Sequence, residues 1–180
     1  DCLVETDWPQ PLRFNATGFS QANHDMAKAA VECIAAGLRG VKSPVVDLYC
    51  GTGPIALALD AQGHAVMGVE VQSMAVELAR RSSSRIGWHC MDAGAFLADF
   101  RPDSPVAVVA NPPRTGLLNA VARRLGELPI GHFAYMSCNP QTLARDAAVL
   151  KECGFRLESV MGFDMFPQTP WFETVAHFTR

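Results

Sequence analysis

Five short apolar runs follow one another along this 180-residue chain: "VVDLY" (45–49), "AVMGVE" (65–70), "IGWHCMD" (86–92), "VAVVA" (106–110) and "HFAYMS" (132–137). Segments with helical spacing lie between them, among them "IALALDAQ", "SMAVELARRS" with Ser73 expected as its N-cap, and "LLNAVARRLGEL". Strands that are apolar on both sides need cover above and below. The alternation therefore predicts an α/β fold around a mostly parallel sheet with helices on both faces. One helix is predicted over 23–38, ahead of the first run, and another over "PQTLARDAAVLKECG", stopped by Gly154. Two long strands follow, "FRLESVMGFDMF" and "FETVAHF". No helical pattern separates them, which predicts an antiparallel pair at one end of the sheet. Residues 1–22 fall outside the alternation and read as a β-hairpin or an arm left from a preceding region, with residues 23–180 as the domain.

In such a sheet ligands bind at the carboxyl ends of the strands, near the point where strand order reverses. The candidates are therefore Asp47 to Gly53, Glu70, Asp92, Asn111 and Cys138, one group after each run. In "DLYCGTGP", Gly51 and Gly53 carry no side chain and let the backbone approach a ligand, although a G-x-G also occurs at any tight turn. Glu70 follows Asp47 by roughly the 20 residues at which a carboxylate accepts hydrogen bonds from ribose hydroxyls. Asp92 adds an acceptor suited to an adenine amino group. Ala56 keeps a dinucleotide fingerprint open, but an adenosine ligand without pyrophosphate fits at least as well. In "NPPRTG" two prolines rigidify the turn that displays Asn111. A plain turn with a capping Asn is the alternative.

The six cysteines show neither C-x-x-C pairs nor zinc-finger spacing, so reduced thiols and no metal are expected. Cys138 ends the fifth run just before a helix, whose N-terminus is expected to lower the thiol pKa. A small residue fitting a crowded turn would look the same. Glu173 lies among aromatic residues and proline, where desolvation would raise its pKa and suit it to general-base work. An ordinary Glu at a strand start is the plainer reading. The net charge of −3 excludes nucleic-acid binding through bulk charge, so any such contact is local or comes from outside this chain. No apolar stretch approaches the ~20 residues of a membrane span. The first residues do not resemble a signal peptide, and a cytoplasmic protein without membrane contact is expected.

The motifs together resemble the S-adenosylmethionine-dependent RNA uracil-5-methyltransferases. The likeness rests on "FSQAN" (19–23), "DLYCGTG" (47–53), "GVE" (68–70), "NPPRTG" (111–116), "SCNPQTLARD" (137–146) and "DMFPQT" (164–169) with Glu173, all in family order. It covers nearly the whole chain from about Gly18, and "TLARD" and "DMFPQT" look more like the 23S rRNA branch than the tRNA branch. The resemblance implies a Rossmann-like class I methyltransferase fold with a seven-stranded sheet. It implies S-adenosylmethionine as cofactor and RNA as partner, ribosomal RNA ahead of tRNA. By motif, Cys138 corresponds to the nucleophile and Glu173 to the base. Gln21, Tyr49, Gly51, Gly53, Glu70, Asp92 and Asn111 correspond to cofactor contacts, and Phe19 and Arg114 to substrate contacts. Three positions depart from the family pattern: Asn111 stands where Asp is usual, Trp171 where His is usual, and Pro54 where Asn is frequent. The iron–sulfur cysteines and N-terminal β-barrel of many relatives are not in this sequence, so a fragment or a short divergent member is expected. A methyltransferase acting on a small pyrimidine or another non-RNA substrate is the alternative function, and a non-catalytic RNA-binding protein a third.

Overall fold

Consecutive side chains of a strand point to opposite faces, so a run that is apolar throughout must be sandwiched. The computed structural model describes residues 2–5, 8–15, 23–165, 167–169 and 172–180. A hairpin comes first, β1 (Cys2–Glu5) with β2 (Leu12–Asn15), followed by α1 (His24–Gly37) and β3 (Val45–Leu48). Next are α2 (Pro54–Ala61), β4 (Val66–Glu70), α3 (Ser73–Ser82), β5 (Gly87–Cys90), α4 (Ala93–Asp99) and β6 (Val106–Ala110). The chain continues with α5 (Asn119–Glu127), β7 (Ile130–Ser137), α6 (Pro140–Glu152), β8 (Arg156–Phe163) and β9 (Glu173–Thr179). Seven strands form one sheet in the order β5-β4-β3-β6-β7-β9-β8. The first five are mutually parallel, while β9 runs antiparallel to both β7 and β8.

The alternation divides the core in two. Val45, Ala107, Val109, Ala134, Met136 and Val175 face one way, against α1, α2 and α3. Val46, Val108, Ala110, Phe133, Tyr135 and Phe178 face the other, against α4, α5 and α6. The hairpin packs on the first layer: Trp8 and Leu12 are buried there, and Gln10 Nε2 donates to the Leu57 carbonyl at 3.2 Å and to Asp60 Oδ2 at 2.5 Å.

Two local expectations change. Ser73 is the first helical residue of α3 rather than its cap; Gln72 holds the cap position without a side-chain bond. The reason lies upstream, where Glu70 Oε1 accepts from the Gln72 N–H at 2.8 Å and sets the entry of the chain. The helix α4 was not foreseen, because seven residues are too few to show a period. Its start was nonetheless marked: Asp92 is an N-cap whose Oδ1 accepts from the Ala95 N–H at 3.0 Å. Pro54 sits at the first position of α2, where a missing N–H costs nothing.

Candidate active site

Strand order reverses at β3, which lies between β4 and β6, and in open α/β sheets ligands bind beyond the carboxyl end of the strands at such a point. The chain leaves β3 through three residues of positive φ: Tyr49 at 60°, Gly51 at 55° and Gly53 at 90°. A bulky residue there costs about 1–3 kcal/mol, so Tyr49 marks a tightly constrained turn. Its hydroxyl is pushed up to about 12, first by burial and then by the charges of Asp92 and Asp146.

The two glycines do different work. A Cβ on Gly51 would meet nothing within 4 Å, so this part of the loop faces open space. A Cβ on Gly53 would run into the Trp88 ring, and one on Gly68 would meet the same ring. Trp88 is fixed from behind by its indole N–H, which donates to the Ser83 carbonyl at 2.9 Å. The absence of a side chain thus serves different neighbours: at Gly53 it makes room for Trp88, and at Gly51 it leaves open space.

Glu70 ends β4 half-buried, with Oε2 accepting from the Gly51 N–H at 3.0 Å and Oε1 from Gln72. A carboxylate has about four acceptor sites, so two remain for ligand hydroxyls. Asp92 is exposed at the next strand end, and the Asn111 N–H donates to the Leu48 carbonyl at 3.3 Å, which sets Asn111 beside the mouth of the loop. Carboxylate acceptors, a mixed donor–acceptor amide and an open glycine edge suit an adenosine-like ligand.

Asp47 lies beneath the loop, fully buried, with Oδ2 accepting from the Ala56 N–H at 3.0 Å. Its Oδ1 has no hydrogen-bond partner among the described residues. Burial first, and the Glu70 charge after the opposing Ala56 bond, push its carboxyl up to about 8. The folded protein therefore keeps a proton that the unfolded chain releases near 3.8. This contribution to stability is complete below the unfolded pKa and is lost as pH rises through the folded one. Asp47→Asn cannot titrate, so between about pH 5 and pH 8 its stability should gain on that of the wild type. Urea melts at both pH values check this; parallel pH slopes would refute a neutral buried Asp47.

Cys138 and Glu173 meet through strand register. Ser137, the last residue of β7, pairs with Thr174 of β9, which brings the next residue, Cys138, within reach of the Glu173 charge. Glu173 also pairs with Phe163 of β8, and it is only 4% exposed. The Cys138 thiol is half-buried and its pKa is raised, foremost by burial, then by the Glu173 charge; the Arg114 guanidinium, charged and hydrogen-bonded to the thiol, pulls the other way without prevailing. This corrects the expectation of a thiol lowered by the helix N-terminus, because burial and the facing carboxylate outweigh it. Burial also raises the thiols of Cys33 and Cys50, which lie away from this pair. Phe19, Gln21 and Trp171 lie outside the described residues.

The sequence reading missed Asp146. This carboxylate is 2% exposed on α6 and accepts from the Leu117 N–H and the Tyr135 hydroxyl, both at 2.7 Å. The signal was present, since the buried residues of α6 are Leu143, Asp146 and Leu150, one helical stripe with an acid in it.

The chain matches the family model "Methyltransferase small domain" over residues 12–125 and "tRNA (Uracil-5-)-methyltransferase" over residues 94–180. A protein of Haemophilus ducreyi, provisionally named a 23S rRNA (uracil(747)-C(5))-methyltransferase RlmC, is 34% identical over 94% of this chain and 84% of its own length. The chain belongs to the RNA uracil-5-methyltransferase family. Within that family, the 23S rRNA (uracil(747)-C(5))-methyltransferase RlmC of Vibrio cholerae is 32% identical over 99% of this chain and 48% of its own. An uncharacterized RNA methyltransferase of Parasynechococcus marenigrum is 35% identical over 94% of this chain and 38% of its own. The chain thus spans less than half the length of these two relatives. Among solved structures, the Pyrococcus abyssi tRNA (uracil-54, C5)-methyltransferase in complex with S-adenosyl-L-homocysteine superposes with a TM-score of 0.83 at 26% identity, covering 99% of this chain and 44% of that one. The sheet described above is therefore the family's Rossmann-like methyltransferase fold. No helix among the described residues is long and apolar enough to cross a membrane.

Proposed function

We propose that this chain transfers a methyl group to C5 of a uridine in RNA, with ribosomal RNA as the leading substrate and the cytoplasm as the place of action. The observation that carries the reading is the nearness of the Glu173 charge to Cys138, just past the Ser137–Thr174 pair, at the sheet edge that also bears the open Gly51 loop. Residues 23–180 form the catalytic unit.

Uracil C5 is a poor nucleophile. The Cys138 thiol first gives up its proton to solvent, helped by the Arg114 charge; the thiolate then adds to C6, and the electrons of the C5–C6 double bond move into an enolate that makes C5 nucleophilic. Tyr49, Gly51, Glu70, Asp92 and Asn111 would hold S-adenosylmethionine, which would supply an electrophilic sulfonium methyl to C5 and leave as the neutral thioether S-adenosylhomocysteine. Glu173 then removes the C5 proton; the electrons restore the double bond and expel Cys138 as thiolate. Arg114 steadies that thiolate at both ends of the cycle. A base within folded RNA must first be flipped out to reach the pair.

Release of tritium from RNA labelled at uridine C5 tests this directly. Tritium should appear in water only when both S-adenosylmethionine and the intact chain are present. The net charge of −3 favours a free pyrimidine as second reading. Release from labelled uridine nucleotides but never from RNA would establish that reading and end the first.

A further inference from the structure

We propose that the first turns of α6 clamp the loop after β6 and thereby hold Arg114 against Cys138, with Asp146 as the central positioning residue. Residues 114–117 are held almost one by one. Asn139 Nδ2 donates to the Arg114 carbonyl at 3.4 Å, while its Oδ1 caps α6 by accepting from the Gln141 N–H at 3.0 Å. Arg145 Nη2 donates to the Thr115 carbonyl at 2.8 Å and to the Leu117 carbonyl at 3.1 Å. Asp146 Oδ2 accepts from Leu117 and Tyr135, and Oδ1 accepts from Arg145 Nε at 2.9 Å and Nη2 at 2.7 Å. Gly116 adopts φ 74°, and a Cβ there would press on Asp146, Arg145 and Thr142.

Asp146 is thus a buried carboxylate whose two oxygens take four donors. One side belongs to the loop and the core strand β7, the other to the arginine that grips the loop carbonyls. Such a fully satisfied network fixes a single arrangement, which a side chain on a free loop could not keep. Cys138 immediately precedes the capping Asn139, so nucleophile and clamp share one stretch of chain. The loop therefore cannot shift relative to the thiol without breaking these bonds.

The catalytic meaning rests on Cys138 being the nucleophile; the positioning itself does not, and it is tested without RNA or cofactor. The rate at which iodoacetamide alkylates Cys138 is followed against pH by peptide mass spectrometry. In Arg114→Ala the profile should move to higher pH, with alkylation at a fixed pH near 8 slowed roughly tenfold, the worth of one charge-assisted hydrogen bond. Asp146→Asn should move it in the same direction, and the double variant should be no slower than Arg114→Ala alone, because both changes remove one interaction. Arg145→Lys keeps a charge beside Asp146 but cannot fork onto two carbonyls, so it should give a partial shift and serves if Asp146→Asn does not fold. A lower melting temperature with a wild-type alkylation profile in these clamp variants would reduce Asp146 to a stabilising residue and overturn the proposal. So would an unmoved profile in Arg114→Ala.

Discussion

Supplied with S-adenosylmethionine and an RNA that the wild type methylates, Glu173→Gln accumulates a methylated RNA–protein adduct that survives a denaturing gel. Cys138→Ala gives neither adduct nor product. The two outcomes differ because the two groups act at different steps. Without the thiol no bond to C6 forms, and C5 never becomes nucleophilic. Without the carboxylate the bond forms and the methyl moves, but the C5 proton stays and the adduct has no exit. Gln is nearly the shape of Glu, so the 4% exposed site can hold it without opening a cavity. Loss of a general base typically costs 10²–10⁴-fold, so turnover should fall by about that factor or more while adduct builds up. Trp171 sharpens the expectation. An indole offers only a donor and cannot relay a proton as imidazole does. Resolution should be slow even in the wild type, leaving a faint adduct band that Trp171→His removes. If Glu173→Gln and Cys138→Ala are alike in showing no adduct, Glu173 is not the base.

Glu70→Ala is expected to weaken S-adenosylmethionine binding by about tenfold to a hundredfold, the ~1.5–3 kcal/mol of hydrogen bonds to a charged group. Two effects contribute. The carboxylate acceptors left open to a ligand disappear, and so does the bond from the Gly51 N–H that shapes the open part of the loop. Calorimetric titration reads the sum. Glu70→Gln separates the effects in part, since the amide must turn a donor toward either Gly51 or Gln72. Unchanged affinity in Glu70→Ala would remove this residue from the site.

The sheet was legible because its strands are apolar on both faces and are punctuated by glycine, proline and polar residues at one edge. Periodicity alone placed every strand of the parallel set, including the weakly marked β5, in which Trp88 is the buried residue. The position of β9 between β7 and β8 was not legible: pairing partners depend on how whole faces fit, and no residue in "FETVAHF" names its neighbours. For the same reason the sequence could nominate Cys138 and Glu173 separately but could not bring them together. Pattern also could not tell the role of Gly53 from that of Gly51, since the difference is a tryptophan arriving from another strand. Nor could it foresee the raised thiol of Cys138, which follows from burial and a facing carboxylate rather than from the adjoining helix.

The insertion of β9 as an interior strand separates what can diverge from what cannot. Val175 enters the core on one face, Ala176 and Phe178 on the other, so a slip of one residue would turn both sets inside out. The separation of Cys138 from Glu173 therefore follows from the ladder that ends at Ser137 and Thr174, and not from the length of 164–172, the segment joining β8 to β9. Changes in the length of that segment leave the ladder untouched, provided that Met165, 2% exposed, keeps its place in the core.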